Sequence, residues 1–187
     1  MALLLGGVCV IVLVWAVASY NRLVQVKHEV SRALANIDVL LKQRHDELPK
    51  LIETCKQYRQ FEQDTLKSVI EARTRVQQAS AGGNIAALGG AESALRSSVG
   101  RLFAVAEAYP ELKTNESLMA LQARISALEN GIADRREVYN EAVNINNVRL
   151  EQFPGSLIAP FGTFRTLPLL HFTSAETSDQ DVKALFA

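Results

Sequence analysis

Hydrophobic positions fall into three regimes along this chain. From Ala2 to Ser19 no side chain is charged, and Leu, Val, Ile, Ala, Gly, Cys and Trp fill every position but the last. As an α-helix that run is about 27 Å long, close to the thickness of a bilayer's hydrocarbon core, so it predicts a membrane-spanning anchor. From there to about Leu150, apolar residues recur at three- and four-residue steps among polar ones, which predicts amphipathic helices. Between Phe153 and Phe172 the periodicity is lost. Three of the five prolines and four of the seven phenylalanines crowd into that stretch.

No Pro or Gly lies between Ser19 and Arg44, so the anchor helix is expected to run straight into the soluble region. Leu23, Val26, Val30, Leu34, Ile37 and Leu41 mark its apolar stripe. The segment His45-Asp46-Glu47-Leu48-Pro49 predicts a reversal, with Asp46 capping a second helix and Pro49 in its first turn. That helix would continue to Ser80 through Ile52, Cys55, Leu66, Val69, Ile70 and Val76. Ser80-Ala81-Gly82-Gly83-Asn84 is a turn with two glycines free to take positive φ. A third helix is expected to be loose around Gly89-Gly90, firm from Ala91 to Tyr109, and ended by Pro110. Thr114 or Asn115 then caps a last helix reaching Leu150, with Leu118, Leu121, Ile125, Leu128, Ile132, Tyr139 and Val143 inward. The expected fold is all-α: an antiparallel up-and-down four-helix bundle over residues 21–152, its first helix continuous with a transmembrane helix at 1–20. Residues 153–187 form a Pro/Phe-rich apolar tail ending in an acidic flexible segment with Glu176, Asp179 and Asp181.

Charge sharpens the reading of the anchor. No basic n-region precedes the apolar run, and Gly6-Gly7-Val8 before Cys9 is a poor lipidation signal, so an uncleaved anchor is expected. Arg22, Lys27 and Arg32 follow the span, which by the positive-inside rule places the bundle in the cytoplasm and the N-terminus outside. Twenty basic residues balance twenty acidic ones, so no nucleic-acid surface is expected. Two cysteines, one inside the anchor, make no disulfide framework.

Particular blocks of residues resemble the LemA family of bacterial membrane-anchored proteins. The similarity runs through Tyr20-Asn21-Arg22-Leu23-Val24 and Ile37-Asp38-Val39-Leu40-Leu41-Lys42-Gln43-Arg44, then Leu48-Pro49 with Leu51-Ile52-Glu53. Its most specific part is Arg101-Leu102-Phe103-Ala104-Val105-Ala106-Glu107-Ala108-Tyr109-Pro110-Glu111-Leu112-Lys113. Glu129-Asn130, Ile132-Ala133, Arg135-Arg136, Tyr139-Asn140 and Phe153-Pro154-Gly155 complete it. The chain departs at Leu34, where the family often has tryptophan, at Cys55 in place of valine, and at Gly131 in place of a charged residue. Thr166 to His171 also lacks the family's lysine-rich character. The resemblance implies one N-terminal span, a four-helix bundle and a mainly cytoplasmic bulk at the bacterial inner membrane. It implies no particular activity.

Candidate chemistry is sparse. No Glu-x-x-His pair is present for a di-metal carboxylate site, and His28, His45 and His171 are scattered. Glu107 and Glu129 are the one carboxylate pair worth weighing as acid and base; structural pairing with Arg101, Arg135 or Arg136 is the favoured alternative. Cys55 on an apolar stripe reads as an inert thiol. The glycine pairs lack a phosphate-loop context, and Arg73 with Arg75 reads as a solvated face. No catalytic residue, cofactor or metal is expected. Partners follow from the apolar surfaces: membrane lipid through Ala2–Ser19, like copies in a homo-oligomer, and a membrane protein docking on Phe153–Phe172. The tail is either strapped along the bundle or a docking segment. The expected function is therefore a non-enzymatic membrane-anchored scaffold or adaptor; the alternative is a ligand- or signal-sensing module using a polar patch of Glu107, Glu129, Arg135 and Asn140.

Overall fold

In a computed structural model, which describes residues 1–58 and 61–171, the chain is all-α. The first helix, α1, is a single 55-residue element, Ala2–Lys56. It is followed by α2 (Gln63–Ala81), α3 (Ile85–Glu107), the short α4 (Pro110–Lys113) and α5 (Glu116–Glu151). Two short turns of helix, α6 (Gly155–Ile158) and a 3-10 turn (Ala159–Phe161), precede an extended segment. The last residues, including Phe172 and the acidic Glu176, Asp179 and Asp181, lie outside the described residues.

The expected reversal at His45–Pro49 is not there. Pro49 sits inside α1, and the chain turns only after Lys56. Proline has no N–H to give the carbonyl four residues back, which is that of His45. Arg73 of α2 replaces it: Nε donates to the His45 oxygen at 3.2 Å, and Nη2 lies 2.6 Å from His45 Nε2. The orphaned acceptor is thus covered from another helix, and α1 continues. Removing that donor with Arg73→Ala is expected to cost about 1–2 kcal/mol. In a Pro49→Ala background, which restores the missing N–H, the same change is expected to cost much less. A double-mutant cycle by thermal unfolding checks this, and equal losses in both backgrounds would contradict it.

The other boundaries follow local chemistry. Gly83 takes φ +62 in the turn after α2. Asn84 caps α3 by accepting from the Ala87 amide at 3.0 Å, so α3 is regular from Ile85 and carries Gly89-Gly90 within it rather than loosening there. The reason for glycine at 89 is packing: a Cβ there would run into the backbone of His171. Asn115 caps α5 through the Leu118 amide at 3.0 Å and also donates to the Tyr58 hydroxyl. The prolines of the tail do not exclude helix from it. Pro154 precedes α6 and Pro160 lies in the first positions of the 3-10 turn, where a missing N–H costs nothing.

The chain divides into two compact units. One comprises Met1–Val39 with Ile132–Leu169; the other comprises Leu40–Gly131 with Leu170–Ala187, described as far as residue 171. In the first, Leu23, Val26, Val30, Ala33 and Ile37 of α1 and Ile132, Tyr139 and Val143 of α5 are buried. In the second, the core is Leu48, Leu51, Leu66, Val69, Leu95, Val99, Leu102, Leu112 and Ile125. Among the described residues one helix, α1, contains a segment long and apolar enough to cross a membrane, and none of that segment is buried.

Candidate functional site

Two polar arrangements stand out, one in each unit. The first is an ion pair in the core of the Leu40–Gly131 unit. Leu23, Val30, Ile37, Arg44 and Leu51 recur every seven residues along α1, so Arg44 occupies an inward position and is 2% exposed. On α3, Leu88, Glu92, Leu95, Val99 and Leu102 alternate four- and three-residue steps, which points Glu92 inward as well, at 4% exposure. Arg44 Nη2 donates to both Glu92 oxygens, at 2.6 and 2.5 Å. Glu129, one turn after the buried Ile125 on α5, joins the cluster.

The electrostatics are uneven. Burial pushes the Glu92 carboxyl up, against the opposing pull of Arg44. Burial also raises Glu129, with Arg44 and Arg96 pulling it down and Glu92 pushing it further up. Glu129 Oε1 and Arg44 Nε are shut from solvent without a hydrogen-bond partner. The folded chain therefore holds a proton on Glu129 more tightly than the unfolded chain does. Its contribution to stability is full below the ordinary value of 4.5 and is lost as pH rises through the raised folded value. Glu129→Gln removes that titration. Its Tm is expected to fall less than wild type's as pH is raised from 4.5 toward neutrality; parallel pH profiles would contradict the assignment.

The residues of the polar patch expected from sequence are divided between the two units. Glu107 and Arg101 are exposed on α3, Arg135 is exposed on α5, and Arg135 and Asn140 belong to the other unit. Glu129 joins the buried cluster, where its electrostatic neighbours are Arg44, Arg96 and Glu92. The overlooked signal was the seven-residue register that places Arg44 on the apolar stripe. Cys55 is buried and its thiol is pushed up to about 11, which suppresses the reactive thiolate at neutral pH. His45 is lowered by burial and by Arg73, with Asp46 opposing, which suits its ring nitrogen to accept from the guanidinium. No group of three or more His, Cys, Asp or Glu side chains placed to hold a metal occurs among the described residues.

The second arrangement is the strap. The extended segment after Gly162 lies along α5 in the first unit, held by its own backbone. Asn147 Nδ2 donates to the Leu167 carbonyl and Asn147 Oδ1 accepts from the Leu167 amide, both at 2.9 Å. Asn146 donates to the Arg165 carbonyl at 3.1 Å and the Tyr139 hydroxyl to that of Pro168 at 3.2 Å. One asparagine thereby satisfies a donor and an acceptor of the same peptide segment, as a neighbouring strand would. Lys27 of α1 reaches Thr163 Oγ1 at 2.8 Å, and Leu170 is buried in the second unit. Of the two readings of the tail, the strapped one describes residues 163–168. Phe153, Leu157 and Phe161 remain exposed.

The chain is 23% identical to magnetosome proteins MamQ 1 and MamQ 2 of Paramagnetospirillum magneticum, over 75% of this chain and 60% of theirs. It is 21% identical to magnetosome protein MamQ of Magnetospirillum gryphiswaldense, over 81% of this chain and 64% of that protein. It thus spans less than two thirds of the length of these relatives. The sequence profile of the LemA family matches residues 33–186, which include the buried Arg44–Glu92 pair and the strap. With most of its length inside that match, the chain belongs to the LemA family.

Proposed function

We propose that this LemA-family protein is a non-enzymatic, single-pass membrane-anchored scaffold that presents a helical docking face close to the bilayer. The observation that carries the reading is the continuity of α1, which begins in the apolar run and continues unbroken to Lys56 past Pro49. A helix of that kind couples whatever packs on its soluble part to the membrane without a flexible joint. In this reading Ala2–Ser19 crosses the bacterial inner membrane with the N-terminus outside. Arg22, Lys27 and Arg32 keep the rest in the cytoplasm. The four long helices form an antiparallel up-and-down bundle, now with the first reversal after Lys56.

The docking face is the groove between α1 and α5 in the unit that carries the apolar run. It has a volume of about 260 Å³ and includes Ala33, Val138, Ala142 and Ile145 with Glu29 and Arg32 at its edges. Val138 is 48% exposed and Ile145 38%, surplus apolar area suited to a helix of another copy or of a membrane partner. Light scattering coupled to gel filtration of the full chain in mild detergent tests this. A discrete assembly that Val138→Glu with Ile145→Lys dissolves supports the scaffold. A monomer in both samples, with no adduct from a photo-crosslinker at Val138 in native membranes, rejects it. The names of the relatives assign no activity to this chain.

A ligand-sensing role is the second reading, favoured by the buried, unpartnered Glu129 Oε1 and Arg44 Nε. A small ligand bound there would raise the Tm of wild type and not of Glu129→Gln.

A further inference from the structure

The turn between α5 and the strap sits against the end of the apolar run. The rings of Trp15 and Phe153 are 5.5 Å apart, and Tyr20 meets Phe164 edge-on at 5.4 Å. Trp15 lies four residues before Ser19, so Phe153 reaches about 6 Å along the helix into the run. Phe153, Leu157 and Phe161, spaced four residues apart, are 69%, 61% and 88% exposed. Three large apolar side chains on one short turn, left in water beside a membrane span, are costly; inserted into the interfacial layer of a bilayer they are stabilising.

The same corner carries unpaired positive charge. Arg22 of α1 and Arg149 of α5 line an open cavity of about 70 Å³ together with Ser19, Gln152, Phe153 and Gly155. Both arginines are exposed, and neither forms an ion pair or side-chain hydrogen bond among the described residues. Gly155 fixes the turn onto the end of α5, since a Cβ there would run into the Arg149 carbonyl. Two free guanidiniums bordering a small opening that Phe153 also lines, with Trp15 packed on Phe153, match a phosphodiester with acyl chains beside it.

We propose that the Phe153–Phe161 turn is a second membrane contact, in which Phe153, Leu157 and Phe161 enter the lipid interface and Arg22 and Arg149 hold the phosphate of an anionic phospholipid. The proposal rests on the reading of Ala2–Ser19 as a membrane span. It adds that the bundle is fixed to the surface at two places, so the strap follows a segment itself seated in lipid.

The test uses the full chain in vesicles of phosphatidylglycerol and phosphatidylcholine. Trp15→Phe removes the one native indole, and Phe161→Trp places a reporter on the turn. Lipids brominated along the acyl chains are expected to quench that reporter by at least about half, as for an indole at interfacial depth. Val138→Trp in the same background is expected to stay unquenched. Flotation of the vesicles separates the two claims: a chain that does not float overturns the membrane span itself, whereas a chain that floats with an unquenched reporter overturns only the second contact. For the headgroup, native mass spectrometry should show phosphatidylglycerol retained over phosphatidylcholine. Arg22→Gln or Arg149→Gln is expected to lower that preference about fivefold each, and both together about thirtyfold. Unchanged preference in the double variant, or full displacement by inorganic phosphate, overturns the lipid site.

Discussion

Glu92→Ala is expected to destabilise the folded protein by about 3–5 kcal/mol, because it strands the Arg44 guanidinium in an apolar core without its bidentate partner. For a chain of this size that corresponds to a fall in Tm of about 6–20 °C. The effect is one of an uncompensated charge rather than of the pair's own strength. Removing both charges together with Arg44→Met and Glu92→Leu is therefore expected to cost far less and can be stabilising. Thermal unfolding followed by far-ultraviolet circular dichroism distinguishes the cases. If Glu92→Ala moved Tm no more than an exposed-surface change, or if the double variant were as damaged as the single one, the buried pair would not be the unit described here.

The second large effect is expected at the strap. Asn147→Ala deletes a donor and an acceptor that serve the Leu167 peptide group, and leaves both of its backbone groups to find water. Two such bonds amount to about 2–3 kcal/mol. The strap should loosen locally, with trypsin cutting after Arg165 faster than in wild type. Asn144→Ala, on an exposed position of the same helix, is the matched control and should leave cleavage unchanged. Unaltered Tm and protection at Arg165 in Asn147→Ala would mean that the segment is held by its apolar residues alone.

Much of this was legible in the sequence. The long helices, the Gly82-Gly83 turn, the Asn115 cap and the apolar run of α1 all follow from periodicity and local chemistry. The misplaced reversal has a specific cause. Proline in a helix interior leaves a carbonyl without a donor, and nothing local shows that Arg73, 28 residues away, supplies one. The interior polar pair is hidden for a related reason: a charged side chain ordinarily marks surface, although the seven-residue register of Leu23, Val30, Ile37, Arg44 and Leu51 places Arg44 inward. On α5 the same spacing of Leu118, Ile125, Ile132, Tyr139 and Asn146 puts Asn146 on the buried face, where it binds the strap. A polar residue at an apolar register position is thus the mark that both arrangements share. What the register leaves open is its partner, since Glu92 and the Arg165 carbonyl are reached only through tertiary packing. The tail illustrates the same limit: its apolar composition was plain, but which part lies on α5 and which stays exposed depends on Asn146, Asn147 and Gly155.

The proposed scaffold and the proposed second lipid contact both require α1 to be integrated in a membrane, so membrane integration is the claim on which they depend. The direct measurement is alkaline carbonate extraction of cell membranes containing the full chain, beside a variant carrying Val10→Lys and Leu13→Lys. Each lysine at mid-span opposes insertion by about 2.5–3.5 kcal/mol. Wild type is predicted to stay with the membrane, and the variant to be released in part or whole while keeping its helical circular dichroism. Release of the wild-type chain into the alkaline supernatant would contradict the account.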